Sequence, residues 1–323
     1  MFLVTQTKIN NFWFNLAPGN SLKKVKSAII LFIVLSNKKW QLFILFVLAI
    51  IWGSSFILMK RGMEVYSAYQ VASLRIFIAF ISLFPFFIKY LRTVDKKKIP
   101  FFVIVGLFGN GIPAFLFTSA QTGISSSLSG MLNSLTPLFT ILIGALFFKT
   151  HVTFAKIIGV VLGLIGAVGL IWAGGIEHFG NNLLYGLLVI AATLCYAISV
   201  NTIKTHLQQT DAMIVTSMAF FFIGIPIGTY LFTTDFIAVT KNNPHAASAL
   251  GYIFILSTIG TSLAVLVFNF LIKHTSAVFA SSVTYLIPIT AIFWGWLDGE
   301  SLNLLHLLFI TLILFAVYMV NKK

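Results

Sequence analysis

From residue 41 to residue 320 the chain runs through ten apolar stretches with short connections: 41–59, 68–88, 101–120, 125–148, 157–173, 183–203, 212–233, 249–272, 277–297 and 302–320. An α-helix rises about 1.5 Å per residue, so about 20 apolar residues cross the hydrocarbon of a bilayer. These stretches are too long and too uniformly apolar for barrel strands, which alternate over about 10 residues. The pattern predicts an all-α polytopic membrane protein with ten transmembrane helices, numbered here span 1 to span 10. Composition agrees. Of the 323 residues 59% are hydrophobic and 9% charged, whereas a soluble domain is nearer about half and a quarter. The longest connection, 234–248, carries the turn sequence Asn242-Asn243-Pro244.

The formal net charge is +14. On a soluble protein such a surplus would suggest a nucleic-acid partner. Its placement here gives a different reason. With the N-terminus in the cytoplasm, 17 of the 21 lysines and arginines fall on cytoplasmic segments, and only Lys60, Arg61 and Lys241 fall opposite. Arg75 lies inside span 2, and the acids Glu64, Glu177, Asp235, Asp298 and Glu300 face out. This positive-inside asymmetry predicts both termini in the cytoplasm. It points to the lipid bilayer, and no nucleic acid, as partner. Residues 1–39 hold six lysines and an eight-residue apolar run, Ala28 to Leu35, too short to span. They read as an N-terminal cytoplasmic or surface-lying amphiphilic extension, or as sequence upstream of the true start.

Spans 4 and 9 share a face. In Ile124 to Lys149, Ser126, Ser129, Asn133, Pro137, Thr140 and Gly144 recur at helical spacing. Adding 151 gives Ala277, Ala280, Thr284, Pro288, Ala291 and Gly295, again small, polar or proline. The same offset carries Gly109 to Gly260 and Phe117 to Phe268, between spans 3 and 8. An offset of 144 carries Trp52 to Tyr196, Ser55 to Ser199 and Lys60 to Lys204, between spans 1 and 6. Two five-helix repeats are expected, over 40–174 and 180–321. Five is odd, so the second repeat is inverted in the membrane. Inverted repeats of this kind build secondary transporters, with the solute site near the midplane between the halves.

On these residues the chain resembles a known family. Trp52-Gly53-Ser54-Ser55-Phe56 in span 1, Leu74-Arg75 with Pro85 in span 2, and Ser134-Leu135-Thr136-Pro137 before a glycine-rich span 5 are similar to the EamA domains of the drug/metabolite transporter superfamily. Thr275-Ser276-Ala277, Pro288 and Gly299-Glu300 repeat the pattern in the second half. The resemblance covers about residues 40–320. It implies movement of small metabolites, such as amino acids, related compounds or drugs, across a bacterial inner (plasma) membrane. The family often closes the fourth helix of a half with an acid. Glu300 matches, but its counterpart in the first half is Lys149.

The candidate cavity residues are polar or aromatic groups at membrane depth: Trp52, Ser55, Asn110, Asn133, Tyr196, Ser199, Thr261, Asn269, Thr284 and Tyr285. Asn110 stands between Gly109 and Gly111 with Pro113 close by, which predicts an irregular, cavity-lining helix. Pro137 and Pro288 each free a carbonyl, which at membrane depth must face protein or water. The two stripes read either as close packing by small residues or as pathway walls with Asn133 and Thr284 as hydrogen-bonders. Arg75 and Glu300 are the gating or charge candidates. For Arg75 the alternatives are anchoring by snorkelling or pairing and a gating or substrate-anion role. The Gly159 to Gly163 spacing of span 5 reads as packing. Trp294 and Trp296 read as interfacial belt residues, and His306 as a packed histidine.

No cofactor or metal is expected. Cys195 is the single cysteine, and the histidines 151, 178, 206, 245, 274 and 306 are scattered. A lipid enzyme would need a nucleophile–base pair or a metal cluster, and a channel a charged ring or carbonyl filter. Neither pattern is present. No acid sits mid-span, which points to passive or exchange-driven movement of a neutral or zwitterionic solute. The expected assembly is a monomer or a homodimer.

Overall fold

The computed structural model describes residues 38–148, 153–173, 179–300 and 302–321. Residues 1–37 of the expected extension and Lys149 lie outside these. By contact density the chain divides into 1–44 and 45–323, and the contacts below belong to the second unit. Among the described residues every regular element is helical. Span 1 is Lys38–Met63, span 2 Ala68–Tyr90, span 3 Lys96–Ala120, span 4 Ser126–Phe148 and span 5 Phe154–Ala173. Span 6 is Phe179–His206, span 7 Ala212–Thr233, span 8 Ala246–His274, span 9 Ala277–Leu297 and span 10 Leu304–Asn321. Eight are long and apolar enough to cross a membrane, and spans 5 and 10 carry the shorter apolar helices Ile157–Ala173 and Leu304–Ala316. They fall on the ten predicted stretches. The 234–248 connection is not irregular throughout. It contains a short helix, Phe236–Asn242, tied to the span 1–2 turn by Tyr66–Thr240 at 2.9 Å and Gln70–Asp235 at 2.7 Å.

The two halves use the same local devices. Ser125 caps span 4, its hydroxyl accepting from the Leu128 N–H at 3.1 Å; Ser276, its counterpart at +151, caps span 9 through Phe279 N–H at 3.0 Å. Such a cap satisfies one of the orphan donors of the first turn. Span 4 breaks between Ser126–Asn133 and Thr136–Phe148, just before Pro137. Span 9 tightens to a 3-10 turn over Ser282–Tyr285, just before Pro288. Proline supplies no N–H and clashes with the carbonyl four residues back. For Pro137 that carbonyl is Asn133 O, and Thr136 Oγ1 donates to it at 2.8 Å.

Spans 3 and 8 each widen to a π turn, Leu107–Gly111 and Thr258–Leu263. In span 8 the side chains cover the widened turn: Thr261 Oγ1 donates to Leu256 O at 3.0 Å and Ser262 Oγ to Ser257 O at 3.1 Å. The irregularity expected at Asn110 is present. Its repeat in span 8 was signalled only by the 151 offset, because no proline marks it.

Helices in lipid gain little from burying apolar surface against each other, so small residues that allow close approach decide their pairing. Spans 5 and 10 meet where Gly166 lies against Ile313 and Gly169 against Phe309. Spans 2 and 7 meet where Gly224 lies against Phe80 and Gly228 against Phe77.

Two lysines fix the direction of the halves. Lys60, at the end of span 1, pairs with Asp298 and Glu300 just past the C-terminus of span 9. Lys204, near the end of span 6, donates to Ile272 O and Thr275 O just before span 9 begins. Spans 1 and 6 therefore end at opposite ends of span 9, and the repeats are inverted.

Gly299 closes span 9. Glu300 N–H bonds to Gly295 O at 2.8 Å and Gly299 N–H to Trp296 O at 3.1 Å, with φ +79° at Gly299. This is the Schellman arrangement, which needs a left-handed residue. It turns the chain so that the Glu300 carboxylate faces back toward span 4. Gly299→Ala is expected to cost about 1 kcal/mol and to lower the thermal unfolding midpoint in detergent; an unchanged midpoint would show that this turn relaxes without strain.

Candidate functional site

At the centre of the bundle the irregular segments of both halves face one cavity of about 90 Å³, measured as volume open to the centre of a water molecule. A water in the liquid takes about 30 Å³, so this volume corresponds to roughly three waters. Nine of the residues singled out from the sequence line it: Trp52, Ser55, Arg75, Asn110, Asn133, Tyr196, Ser199, Asn269 and Thr284.

The walls repeat across the halves. Trp52 meets Phe268 edge to face at 5.0 Å, and Tyr196 stacks on Phe117 at 5.9 Å. Each pair joins span 1 or 6 to span 8 or 3, and the offsets 144 and 151 carry one pair onto the other. The glycines do the same. A Cβ on Gly109 would strike Ser199 Oγ, and one on Gly260 would come within 3.0 Å of Ser55 Oγ. The π turns thus lie against the serines of the other half at close approach. Trp52 Nε1 donates to Gly260 O at 3.0 Å and uses a carbonyl of the span 8 π turn.

Five sequence candidates are placed elsewhere. Thr261 is fully buried behind the wall, where its Oγ1 accepts from Arg75 Nε at 2.8 Å. Tyr285 sits half-buried in the 3-10 turn of span 9 and is not among the lining residues, because that turn rotates it away from Thr284. Pro137 and Pro288 are buried at the breaks and shape the wall without lining it. Glu300 lies at the Lys60 end.

The stripes divide between the two readings. Only Asn133 and Thr284 of the twelve stripe positions reach the cavity. The others pack: Thr140 O accepts from Asn201 Nδ2 of span 6 at 2.9 Å, and Ala291 lies against Gly130 of span 4. Trp294 is not a free belt residue, since its Nε1 donates to Ser54 Oγ at 2.8 Å; Trp296 is exposed. His306 is buried beside Asn303 Oδ1 at 2.7 Å.

Phe117, Phe268, Met59, Thr136 and Ser281 line the cavity and were not among the sequence candidates. For the two phenylalanines a signal existed. Phe117 is seven residues past Asn110 and Phe268 seven past Thr261, the same helical face in each case.

One end of the cavity is latched. Glu300 accepts from the Ser126 and Ser127 N–H groups at 2.9 and 3.0 Å, from Ser127 Oγ at 2.6 Å, and from Lys60 Nζ at 3.3 Å. A carboxylate at a helix N-terminus meets both free N–H donors and the positive end of the dipole. Asp298 holds Lys60 and Arg61. The network joins spans 1, 4 and 9 one residue beyond the cavity residue Met59. The Lys204 end is held differently, by one ammonium on two carbonyls.

A second, apolar groove of about 280 Å³ lies between spans 3, 4 and 6, walled by Phe101, Ile143, Phe147 and the ring of His206 stacked on Phe101. It is larger, but a binding site is marked by convergent polar groups rather than volume, and those converge on the central cavity. Among the described residues no three His, Cys, Asp or Glu come together as metal ligands would.

Inverted halves, a central cavity built from both, and a latch at one end define a polytopic membrane transporter class. The EamA-like transporter family profile matches twice, over residues 39–172 and 183–322. The chain belongs to the EamA-like transporter family. It is 26% identical to an uncharacterized transporter of Archaeoglobus fulgidus, covering 88% of this chain and 99% of that one. It is 24% identical to the uncharacterized inner membrane transporter YedA of Escherichia coli K12, covering 86% and 89%. It is 26% identical to the S-adenosylmethionine/S-adenosylhomocysteine transporter of Chlamydia muridarum, covering 80% and 85%. A solved crystal structure shares the fold with a TM-score of 0.59 at 16% identity, covering 86% of this chain and 95% of that one. The protein is an integral membrane transporter.

Proposed function

We propose that this chain is a secondary transporter that carries a small metabolite through the central cavity by alternating access. The observation that carries the reading is the cavity itself. Two equivalent aromatic pairs, Trp52 with Phe268 and Tyr196 with Phe117, each join one inverted half to the other at its wall. Rocking one half against the other would expose such a site to each face in turn. The latch at the Lys60 end fits a state closed on that side. By the lysine and arginine asymmetry that side is the outside, both termini are cytoplasmic, and the membrane is a bacterial inner membrane. Among the described residues no carboxylate lines the cavity, which favours solute exchange or passive movement over proton coupling through a buried acid. The solute named for the Chlamydia relative supports a small-metabolite class and leaves the particular solute open.

The test needs no solute. In a Cys195→Ser background, which removes the single native cysteine, Ser55→Cys places a thiol in the cavity. A membrane-impermeant maleimide is expected to label it in right-side-out cells and in inside-out vesicles. Labelling from one face only, with and without metabolite extract, would rule out alternating access; a sustained single-channel conductance would favour a channel.

A further inference from the structure

Arg75 is an unusual group at this depth. It is 9% exposed on span 2 and lines the cavity. A guanidinium carries five N–H donors. Nε donates to Thr261 Oγ1 at 2.8 Å, and Nη1 approaches Met59 Sδ at 3.7 Å, a weak acceptor. Among the described residues nothing accepts from Nη2. The ion pairs among the described residues all involve Lys60 or Arg61, so no carboxylate neutralises Arg75. It does not snorkel either, because Thr261 on the π turn of the other half fixes its direction. A buried charge without a counter-ion is costly to hold, and at membrane depth a charge is retained for function by default.

We propose that the solute is a small organic monoanion with an apolar body, its carboxylate accepting a forked pair of hydrogen bonds from Arg75. This deepens the transport reading and rests on it. The planar guanidinium matches a carboxylate bidentately, and its pinned Nε leaves the Nη edge for the ligand. Asn110 and the Asn133 amide supply neutral contacts for a keto or hydroxyl substituent. Val105, Val200, Ile203, Val265 and Ile287 surround the rest with hydrocarbon. The ammonium of a zwitterion would meet no carboxylate here, and a cation would be repelled. The site thus favours net negative charge over the neutral or zwitterionic solute that the sequence suggested.

The full-length protein is tested in nanodiscs by equilibrium dialysis against three radiolabelled compounds with one isobutyl body: 4-methyl-2-oxopentanoate, leucine and 3-methylbutylamine, which are anionic, zwitterionic and cationic. The oxoacid is expected to bind at least about tenfold tighter than leucine, and leucine tighter than the amine, where tenfold is about 1.4 kcal/mol. Arg75→Gln should bring the oxoacid to the leucine level, and Arg75→Lys should restore part of the difference. Should Arg75→Gln not fold, Thr261→Val keeps the charge but releases its Nε; it should weaken binding of the oxoacid and of leucine, which share the carboxylate, and leave the amine unchanged. Equal binding of all three, a preference that survives Arg75→Gln, an amine loss in Thr261→Val as large as the oxoacid's, or no oxoacid binding at millimolar concentration would each overturn the proposal. The transport reading would survive any of these, since Ser55→Cys labelling uses no solute.

Discussion

Glu300→Gln is expected to open the Lys60 end of the bundle. The carboxylate accepts from two backbone N–H groups, a serine hydroxyl and an ammonium. Its side chain is 8% exposed, so water is poorly placed to replace those bonds. Hydrogen bonds to a charged group contribute about 1.5–3 kcal/mol each. The amide keeps the shape, but its NH₂ must replace either Oε1, which accepts from Ser126 N–H and Lys60, or Oε2, which accepts from Ser127 N–H and Ser127 Oγ. At least one charge-assisted contact is lost and one donor is left unpaired. A shift of about 1.5–3 kcal/mol between closed and open states is a factor of about 10 to 150 in population. Maleimide labelling of Ser55→Cys from the outer face should rise by about that factor, with labelling from the cytoplasmic face falling. Asp298→Asn should produce a smaller effect, because Asp298 touches no N-terminal N–H of span 4. If Glu300→Gln leaves both labelling rates unchanged, the network is a surface ornament and some other contact closes the cavity.

Gly106→Ala should be among the most damaging single-atom additions to this protein. A Cβ at Gly106 would lie 2.6 Å from Ala219 O and 3.0 Å from Ile223 Cγ2. The first neighbour is helix backbone of span 7, which belongs to the second half, so no rotamer change relieves the contact. Spans 3 and 7 must separate, at about 1–3 kcal/mol for overpacking, despite the roughly 1 kcal/mol gain in helix propensity of alanine over glycine. The control is Gly251→Ala, where nothing lies within 4 Å of the added carbon. It should be neutral or stabilising by up to about 1 kcal/mol. Thermal unfolding in detergent separates the two, and equal midpoints would show that the contact between spans 3 and 7 is slack.

The two substitutions act on different levels of the same design. Gly106 sets how close two helices come, a matter of fold. Glu300 sets which end of the cavity is shut, a matter of state. Neither importance could be read from residue type alone. Gly106 is one glycine among 23, and Glu300 stood out through the family resemblance, as the acid that closes the fourth helix of a half.

Much of the architecture was legible in the chain. The ten spans, their alternation and the duplication follow from apolar run length, lysine and arginine placement and the 151 and 144 offsets. Eight of the ten candidate cavity residues line the cavity, and they could be chosen because a polar or aromatic group at membrane depth has few reasons to be there. Thr261 shows the limit. It has the same polarity and depth as Asn110, its counterpart, yet the structure turns it to hold Arg75 rather than to face the cavity. Phe117 and Phe268 show the converse: only the seven-residue spacing from Asn110 and Thr261 marked them, since an apolar ring in an apolar span carries no chemical mark of a binding wall.

The sequence by itself determined how many helices cross the membrane, their order and their inversion. Each of these depends on one helix at a time meeting lipid and water, so run length and charge suffice. Only the tertiary structure decided which faces meet. The Arg75–Thr261 bond joins residues 186 apart and the Glu300 latch residues 173 to 240 apart. Such contacts depend on how two helices rotate against each other to within an ångström, and no local pattern of residues records that rotation.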